Sequence, residues 1–185
     1  MAMTKCKICR SEFTRRSMTH KCCSVECSIA FTAKERERKA KIEKKQERKI
    51  DKERKEKLKT RADWMREAQI AFNQYIRRRD QLAGYTCISS GRPLHWSGNQ
   101  VDAGHYRSVG SAPHLRFNED NVHAQSKHDN QFLSGNAVEY RKGLIARIGL
   151  ERVETLESDN QAKKYTVEDL KQIKETYKQK LKELG

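Results

Sequence analysis

One stretch near the middle of the chain, residues 102–136, carries histidine, asparagine and aspartate side chains in an order that suits phosphodiester hydrolysis. His105 follows a step of small residues, and a neutral imidazole can accept a proton from water near pH 7. His105 is therefore the candidate general base. Asn130 lies further along, and amide oxygens bind hard divalent cations. Asn130 is therefore the candidate ligand for a catalytic Mg²⁺ or Mn²⁺.

Three further residues complete the candidate site. Asp102 and His128 are the candidate additional metal ligands. Asn121 joins the catalytic set as a structural pin, because an amide side chain can tie loop backbone and so fix where His105 points. The order His105, Asn121, Asn130 is that of an HNH, or His-Me finger, nuclease. Such a module is a two-stranded ribbon followed by a helix, with one metal between them.

A short helix is expected directly after the ribbon. Ser126 and Asp129 fit a capping box, with Asp129 in place of the usual Glu or Gln. We prefer this capping role to a metal role for both residues. Phe132 and Leu133 are expected to supply the buried face of the helix, and Gly135 its C-cap.

The cysteines predict a second kind of site. Five of the six lie within the first twenty-seven residues, and in a reducing cytosol this clustering favours metal over disulfides. A C-x2-C pair and a C-x3-C pair together suit one tetrahedral structural Zn²⁺. The predicted zinc ligands are Cys6, Cys9, Cys23 and Cys27, with Cys22 or His20 as possible replacements for Cys23. Reactive or merely reduced thiols are the alternative interpretation.

Composition limits the class of protein. The chain has 185 residues, of which 35% are hydrophobic, and its net charge of +15 implies a polyanionic partner, usually nucleic acid. A basic surface kept for solubility is the alternative. No apolar run of membrane-spanning length and no signal-peptide pattern is found, so we expect a cytoplasmic protein without a membrane partner.

The chain divides into four predicted segments of an α+β protein. These are a zinc finger at 1–32, a basic charged helix or linker at 33–60, an HNH-like module with packing helices at 61–158, and a C-terminal helix at 159–185. In the second segment acids precede bases by four residues, which favours helix. It is either a rod along DNA phosphates or a solvated or partly disordered spacer.

Apolar spacing predicts the helices that hold the central stretch. A buried helix is expected from Arg61, and residues 81–101 are expected to form turns and short strands at 85–88 and 95–96. Asn136 is expected to cap a helix that buries Val138. A short helix is expected at 150–156.

The last predicted helix is capped by Thr166 and carries an apolar stripe. The stripe is either intramolecular core or the seam of a homodimer, and the two-fold symmetry of four-way junctions suits the second possibility. Five basic residues are the candidate DNA contacts, although arginines near a helix C-terminus also suit the helix dipole. They are Arg77, Arg79, Arg107, Arg116 and Lys127.

Long runs of residues between about 64 and 156 resemble the NinG/Rap family of lambdoid phages, recombination nucleases with an HNH-type centre. The matching runs are FNQYIR at 72–77, AGHY at 103–106, LRF at 115–117, NVH at 121–123 and LSGNAVEYR at 133–141. The cysteine-rich start and the charged helix are similar to that family too. The resemblance implies a structure-specific endonuclease in the host cytoplasm. It would cut Holliday junctions and D-loops with Mg²⁺ or Mn²⁺, alongside host or phage recombination proteins.

The chain departs from the resemblance at one group of positions. Many relatives carry a second four-cysteine site, and the corresponding residues here are Cys87, Ser90, Ser126 and Asp129. One thiolate cannot hold a structural zinc, so we expect packing alone to stabilise this module. In addition, Gly104 stands where many HNH centres place an acidic ligand. Two rival functions remain: a non-catalytic zinc-containing protein that binds or anneals branched DNA, and an RNA-processing factor.

Overall fold

The structure, a computed structural model, describes residues 3–185 and consists of two units, Met1–Leu58 and Lys59–Gly185. Over residues 3–185, the first contains one helix and the second several, and each has one small antiparallel sheet, so the α+β class is confirmed. Among the described residues, no helix is both long and apolar enough to cross a membrane.

The first unit is a small hairpin followed by one long helix. Strands β1 (Met3–Lys5) and β2 (Glu12–Thr14) pair antiparallel. Helix α1 (Val25–Leu58) has 34 residues and buries none of them. It begins before the predicted boundary at residue 33, so Cys27 and the charged segment belong to the same helix. Ion pairs such as Glu37 to Lys41, at 2.6 Å, lie on its solvated surface.

The second unit is built around α2 (Arg61–Leu82). A reciprocal capping box between Thr60 and Asp63 starts this helix. Its apolar stripe packs against α5 (Val167–Glu183), which starts with a second capping box at Thr166 as predicted. The aromatic rings of Phe72 on α2 and Tyr177 on α5 meet edge to face at 4.7 Å between centroids. The last helical stripe is therefore core within this chain.

The ribbon that carries the candidate site lies against α2. Strands β3 (Val101–His105) and β4 (Val122–Ser126) are antiparallel, with Asp102 opposite Gln125 and His105 opposite Val122. The ribbon is followed by a short helical segment, His128–Phe132, whose hydrogen bonds are of the π type.

The short helical segment differs from the prediction in what it buries. Phe132 is 75% exposed and Leu133 is 48% exposed, so the expected apolar face is wrong. The segment is instead held by Asp129, whose buried carboxylate accepts hydrogen bonds from Cys87 and Ser90, in a turn before β3, and from Ser126 at the end of β4. Polar bonds thus replace apolar packing here, which also corrects the expectation of stabilisation by packing alone. The segment ends at Phe132 with Leu133 as its C-cap, so the C-cap predicted at Gly135 is wrong, although the Gly135 N–H donates to the carbonyls of Asp129 and Asn130.

Residues 83–100 form turns, and the two short strands expected at 85–88 and 95–96 are absent from this part of the chain. The local reason is a tight turn in which the Gly91 N–H donates to the carbonyl of Cys87 and the Cys87 N–H donates to that of Arg92. These bonds satisfy the backbone locally, so no strand partner is needed.

A second core lies between α3 (Ala137–Ile148) and α4 (Leu150–Ser158), where Tyr140 and Leu144 are fully buried. Both helices occur where the sequence predicted them. Two predictions about α3 are wrong. Val138 is 70% exposed, and Asn136 has a left-handed backbone and no side-chain hydrogen bond to the helix. The hydroxyl of Tyr140 instead reaches the ribbon and donates to the carbonyl of Gly104 at 2.8 Å.

Candidate functional site

Asp102 and Asn130 come together at the junction of the ribbon and the short helical segment. The Asn130 side chain donates from Nδ2 to Asp102 Oδ2 at 2.9 Å, and Gln131 Nε2 approaches the same oxygen at 3.2 Å. The amide orientation follows from this bonding pattern. Rotation of the Asn130 amide would present its oxygen beside a carboxylate oxygen, which is a donor set that suits Mg²⁺ or Mn²⁺.

His105 is the last residue of β3 and has one polar contact among the described residues. Its Nε2 lies 3.1 Å from the carbonyl oxygen of Arg116. Because a carbonyl only accepts, Nε2 must carry the proton, and Nδ1 of the neutral ring then carries the free lone pair. Burial lowers the pKa of His105 and outweighs the hydrogen bond to the Arg116 carbonyl, which raises it, while the Arg116 charge lowers it slightly further. The imidazole is therefore neutral at pH 7, as a general base must be.

The structure does not place His105 in contact with the Asp102 and Asn130 pair. His105 follows Asp102 by three residues, so their Cα atoms lie about 10 Å apart along the strand. An odd separation also directs the two side chains from opposite faces of a regular strand.

Asn121 ties together the two ends of the loop that joins the strands. Its Oδ1 accepts from the N–H of Arg107 at 2.8 Å, and its Nδ2 donates to the carbonyls of Arg107 and Leu115 at 3.0 and 3.3 Å. The side chain is fully buried. Since Arg107 is two residues beyond His105, these bonds fix the backbone that leads out of the histidine.

His128 lies outside any such group. It is exposed and its ring rests on Phe132, with centroids 5.9 Å apart. Within residues 3–185, one group of three or more His, Cys, Asp or Glu side chains is close enough to share a metal ion. It is the N-terminal cysteine group. Asp102 and Asn130 are thus the two candidate metal ligands that the structure brings together.

The N-terminal group consists of the four predicted cysteines. Their sulfur atoms all lie within 4.8 Å of one another, with Cys9 and Cys23 at 3.4 Å and Cys23 and Cys27 at 3.9 Å. Zinc–sulfur bonds of about 2.3 Å place tetrahedral thiolates about 3.8 Å apart, so the group fits one structural Zn²⁺. A hydrogen bond from the Ile8 N–H lowers the pKa of Cys6 to about 5, which favours the thiolate.

The two alternative ligands are placed elsewhere. Cys22 is buried outside the group of four, and burial raises the pKa of its thiol. The ring of His20 packs edge to face on Phe13, with centroids 5.0 Å apart. Cys23 is therefore the third cysteine of the site.

Comparison with known proteins decides the family. A family model described as the bacteriophage lambda NinG protein matches residues 1–185, the whole of this chain. The chain belongs to the NinG family. Protein ninG of Escherichia phage lambda is 48% identical over 127 residues, which cover 69% of this chain and 60% of that protein. Protein ninG of Escherichia phage 933W is 41% identical over 194 residues, covering 99% and 94% of the two chains. No solved structure matches.

The family membership confirms the resemblance to NinG, and the relatives' names assign no activity. The chemistry must therefore be inferred from the geometry of this NinG-family chain, which includes features that sequence analysis missed. The most important of them is Asp80, which is fully buried at the end of α2. Its carboxylate accepts from Arg79 Nε at 2.7 Å and from the N–H of Ala124 at 2.6 Å, which fastens α2 to β4.

A sequence signal for Asp80 does exist. Ala68, Phe72 and Ile76 recur every four residues on the buried face of α2, and Asp80 is the next position in that row. A charged residue at the next position of an apolar row lies on the buried face of the helix. A buried charge needs a hydrogen-bonding or oppositely charged partner. The neighbouring His123 lies 3.8 Å from it, and burial, with Arg79 nearby, lowers the pKa of His123 to about 3.

Two of the candidate DNA contacts have several internal partners each. Arg79 also donates to the carbonyl of Val122, and Arg107 donates to the carbonyls of Leu156, Glu157 and Asp159 and to the Asn160 side chain. These two guanidinium groups are held by hydrogen bonds within the second unit.

The other three candidates differ in how free they are. Arg116 donates to Gln69 at 3.1 Å. The side chains of Arg77 and Lys127 form no hydrogen bond or ion pair within residues 3–185. Arg77 lines an open cavity of about 300 Å³ together with Arg78 and Trp96.

Proposed function

We propose that this protein is a structure-specific DNA endonuclease that hydrolyses phosphodiesters in branched recombination intermediates, Holliday junctions and D-loops, with Mg²⁺ or Mn²⁺. The observation that carries the proposal is the state of His105. A neutral imidazole with Nε2 fixed on a backbone carbonyl and Nδ1 free is arranged to accept a proton.

His105 would take a proton from the attacking water through Nδ1, while the Arg116 carbonyl holds the ring in the required tautomer and orientation. Asn121 acts on this step indirectly, because it fixes the backbone that follows His105. It is a positioning residue.

Asp102 and Asn130 are the proposed ligands of the catalytic cation, which would supply charge stabilisation at the scissile phosphate and the leaving 3′ oxygen. Two protein oxygens are sufficient for Mg²⁺, since this ion usually keeps several waters and takes one or two carboxylates. The remaining positions would be open to water and phosphate. This is the proposed ββα-metal module: β3, β4 and the short helical segment.

Binding would rest mainly on phosphate contacts. A net charge of +15 on 185 residues favours a polyanion. Arg77 is the best placed of the candidate contacts, because it has no hydrogen bond or ion pair within residues 3–185 and lines a cavity with Arg78. Binding of this kind shows steep salt dependence and little preference for base sequence. We further propose that the four N-terminal cysteines hold a structural zinc, and that the protein acts in the cytoplasm of a host cell.

The test uses wild type, His105→Ala and Asn130→Ala with a labelled four-way junction and a matching duplex, in Mg²⁺, Mn²⁺ or EDTA. The proposal expects cutting of the junction that requires a divalent cation and disappears in both variants, with junction binding retained. Cutting by His105→Ala at the wild-type rate would exclude the proposed base.

One observation favours a second candidate function. His105 does not contact the Asp102 and Asn130 pair, as expected of a degenerate centre. The protein would then be a non-catalytic zinc-containing protein that binds or anneals branched DNA. The same assay distinguishes the two, because junction binding without cutting in any metal supports the second candidate.

A further inference from the structure

Three residues from two separate segments meet around one carboxylate oxygen of Asp129 in the second unit. Oδ2 of Asp129 accepts from the Cys87 thiol at 3.1 Å, the Ser90 hydroxyl at 2.8 Å and the Ser126 hydroxyl at 2.7 Å. The N–H of Ser126 donates in turn to Cys87 Sγ at 3.3 Å. We name this group the Asp129 cluster: Cys87, Ser90, Ser126 and Asp129.

The turn that carries Cys87 and Ser90 has the same backbone as the turn that carries Cys6 and Cys9. In both, the first cysteine's N–H donates to the carbonyl five residues later and its own carbonyl accepts from the N–H four residues later, with all four bonds between 2.9 and 3.1 Å. In both, the fifth residue is left-handed, with φ of 65° at Arg10 and at Gly91. Position 90, however, holds serine where the first turn has Cys9.

We infer that the Asp129 cluster is a metal-free counterpart of the four-cysteine group, in which hydrogen bonds to one carboxylate replace metal–thiolate bonds. The turn, the spacing of two residues in the first pair and the convergence of four side chains from two segments are kept, while the second pair has two intervening residues where Cys23 and Cys27 have three. The metal is not needed, because the acceptor at the centre is Asp129 Oδ2 itself.

The donor set does not suit zinc. Structural zinc in proteins takes four cysteine or histidine ligands, whereas the Asp129 cluster offers one thiol, one carboxylate and two hydroxyls. Both hydroxyls and the thiol also direct their protons at Asp129, so their donors are already satisfied. The second zinc site implied by the resemblance to relatives therefore does not fit this chain.

The cluster also positions the candidate metal ligand. Asp129 precedes Asn130, and its N–H donates to the Ser126 hydroxyl at 3.1 Å, so the cluster fixes the turn between β4 and the helical segment. In consequence the second unit should keep its fold when zinc is removed. This inference rests on no catalytic assignment.

The deciding experiment counts zinc bound to the full chain by elemental analysis after gel filtration under reducing conditions. Wild type should hold one zinc per chain, and the double variant Cys6→Ser/Cys9→Ser should hold none. One full zinc per chain in the double variant would overturn the inference, because the first unit would then keep only Cys23 and Cys27 of its four ligands. A zinc-free double variant supports it whether or not cleavage activity is ever found.

The reverse substitution gives a second, independent measurement. The triple variant Ser90→Cys/Ser126→Cys/Asp129→Cys, with Cys87 kept, should gain one further zinc and double the thiolate-to-cobalt absorption after Co²⁺ substitution. A folded triple variant, judged by a cooperative thermal transition, that gains no metal would overturn the inference. If that variant does not fold, the zinc counts of wild type and the double variant decide.

Discussion

Asn130 Nδ2 donates to Asp102 Oδ2 at 2.9 Å, which joins the short helical segment to the first strand of the ribbon. The contact matters because the same two side chains offer the oxygens that a divalent cation would need. Replacing the amide by a carboxylate turns this attraction at neutral pH into a repulsion that a bound divalent cation would relieve.

Asn130→Asp is therefore expected to make the stability of the protein depend on divalent metal. Without metal, two carboxylates about 3 Å apart lower the melting temperature relative to wild type. Added Mg²⁺ should raise the melting temperature of this variant more than that of wild type, since binding to the folded state stabilises it. If differential scanning fluorimetry shows that Mg²⁺ shifts the melting temperatures of the variant and wild type equally, the metal binds elsewhere. Asn130→Ala, which adds no charge, is the control.

The fall of the cleavage rate at acidic pH should reflect protonation of His105. Burial lowers its folded-state pKa, so the ring stays neutral at pH values below the ordinary value of 6.5. The rate should therefore hold as the pH falls through 6.5 and decline only at lower pH. His105→Ala should reduce the rate by about 100- to 10,000-fold, the usual contribution of a general base. An acid limb centred above 6.5 would contradict this assignment.

Arg77 should contribute one phosphate contact to junction binding. Arg77→Ala should weaken binding about equally for all sequences and reduce the slope of log K against log salt by about one. Arg141→Ala is a matched control, because that guanidinium is held by Glu157 at 2.7 Å. Fluorescence anisotropy across a salt series gives both slopes, and an unchanged slope for Arg77→Ala would remove it from the interface.

The elements that the sequence predicted well are those governed by local rules. The capping box at Thr166 and the apolar stripe that follows it depend on residues within one helix, and both are observed. The four-cysteine group followed from spacing alone, because tetrahedral zinc needs two short pairs.

The features that the sequence did not predict depend on contacts between distant segments. The predicted contact between Ser126 and Asp129 is present, with the Asp129 N–H on the Ser126 hydroxyl at 3.1 Å. The other two side-chain partners of Asp129, Cys87 and Ser90, were not predicted, because they come from a turn about forty residues earlier. Phe132 was expected to be buried because it lies in an apolar pair. It is exposed because the segment is a single π turn, fixed by polar bonds at its start.

Asp80→Ala should destabilise the protein strongly and without any direct effect on the proposed centre. The carboxylate is fully buried and holds Arg79 at 2.7 Å, and Arg147 lies 3.8 Å from it. Removing one partner of a buried ion pair costs about 3–5 kcal/mol, because the other charge is left uncompensated. Urea unfolding monitored by circular dichroism measures this loss. Asp63→Ala, at the exposed cap of the same helix, should cost only about 1 kcal/mol.

His123 should make the folded protein sensitive to acid. Its pKa is lowered by burial to about 3 in the folded state, while in the unfolded chain it is near 6.5. Between pH 6.5 and 3 the imidazole binds a proton in the unfolded chain but not in the folded protein. The contribution of His123 to the free energy of unfolding is therefore complete above pH 6.5 and is lost as the pH falls toward 3. His123→Gln, which keeps a polar side chain but cannot titrate, should flatten this part of the curve of unfolding free energy against pH. An equal slope in wild type and His123→Gln between pH 6.5 and 4 would show that other groups control the acid sensitivity.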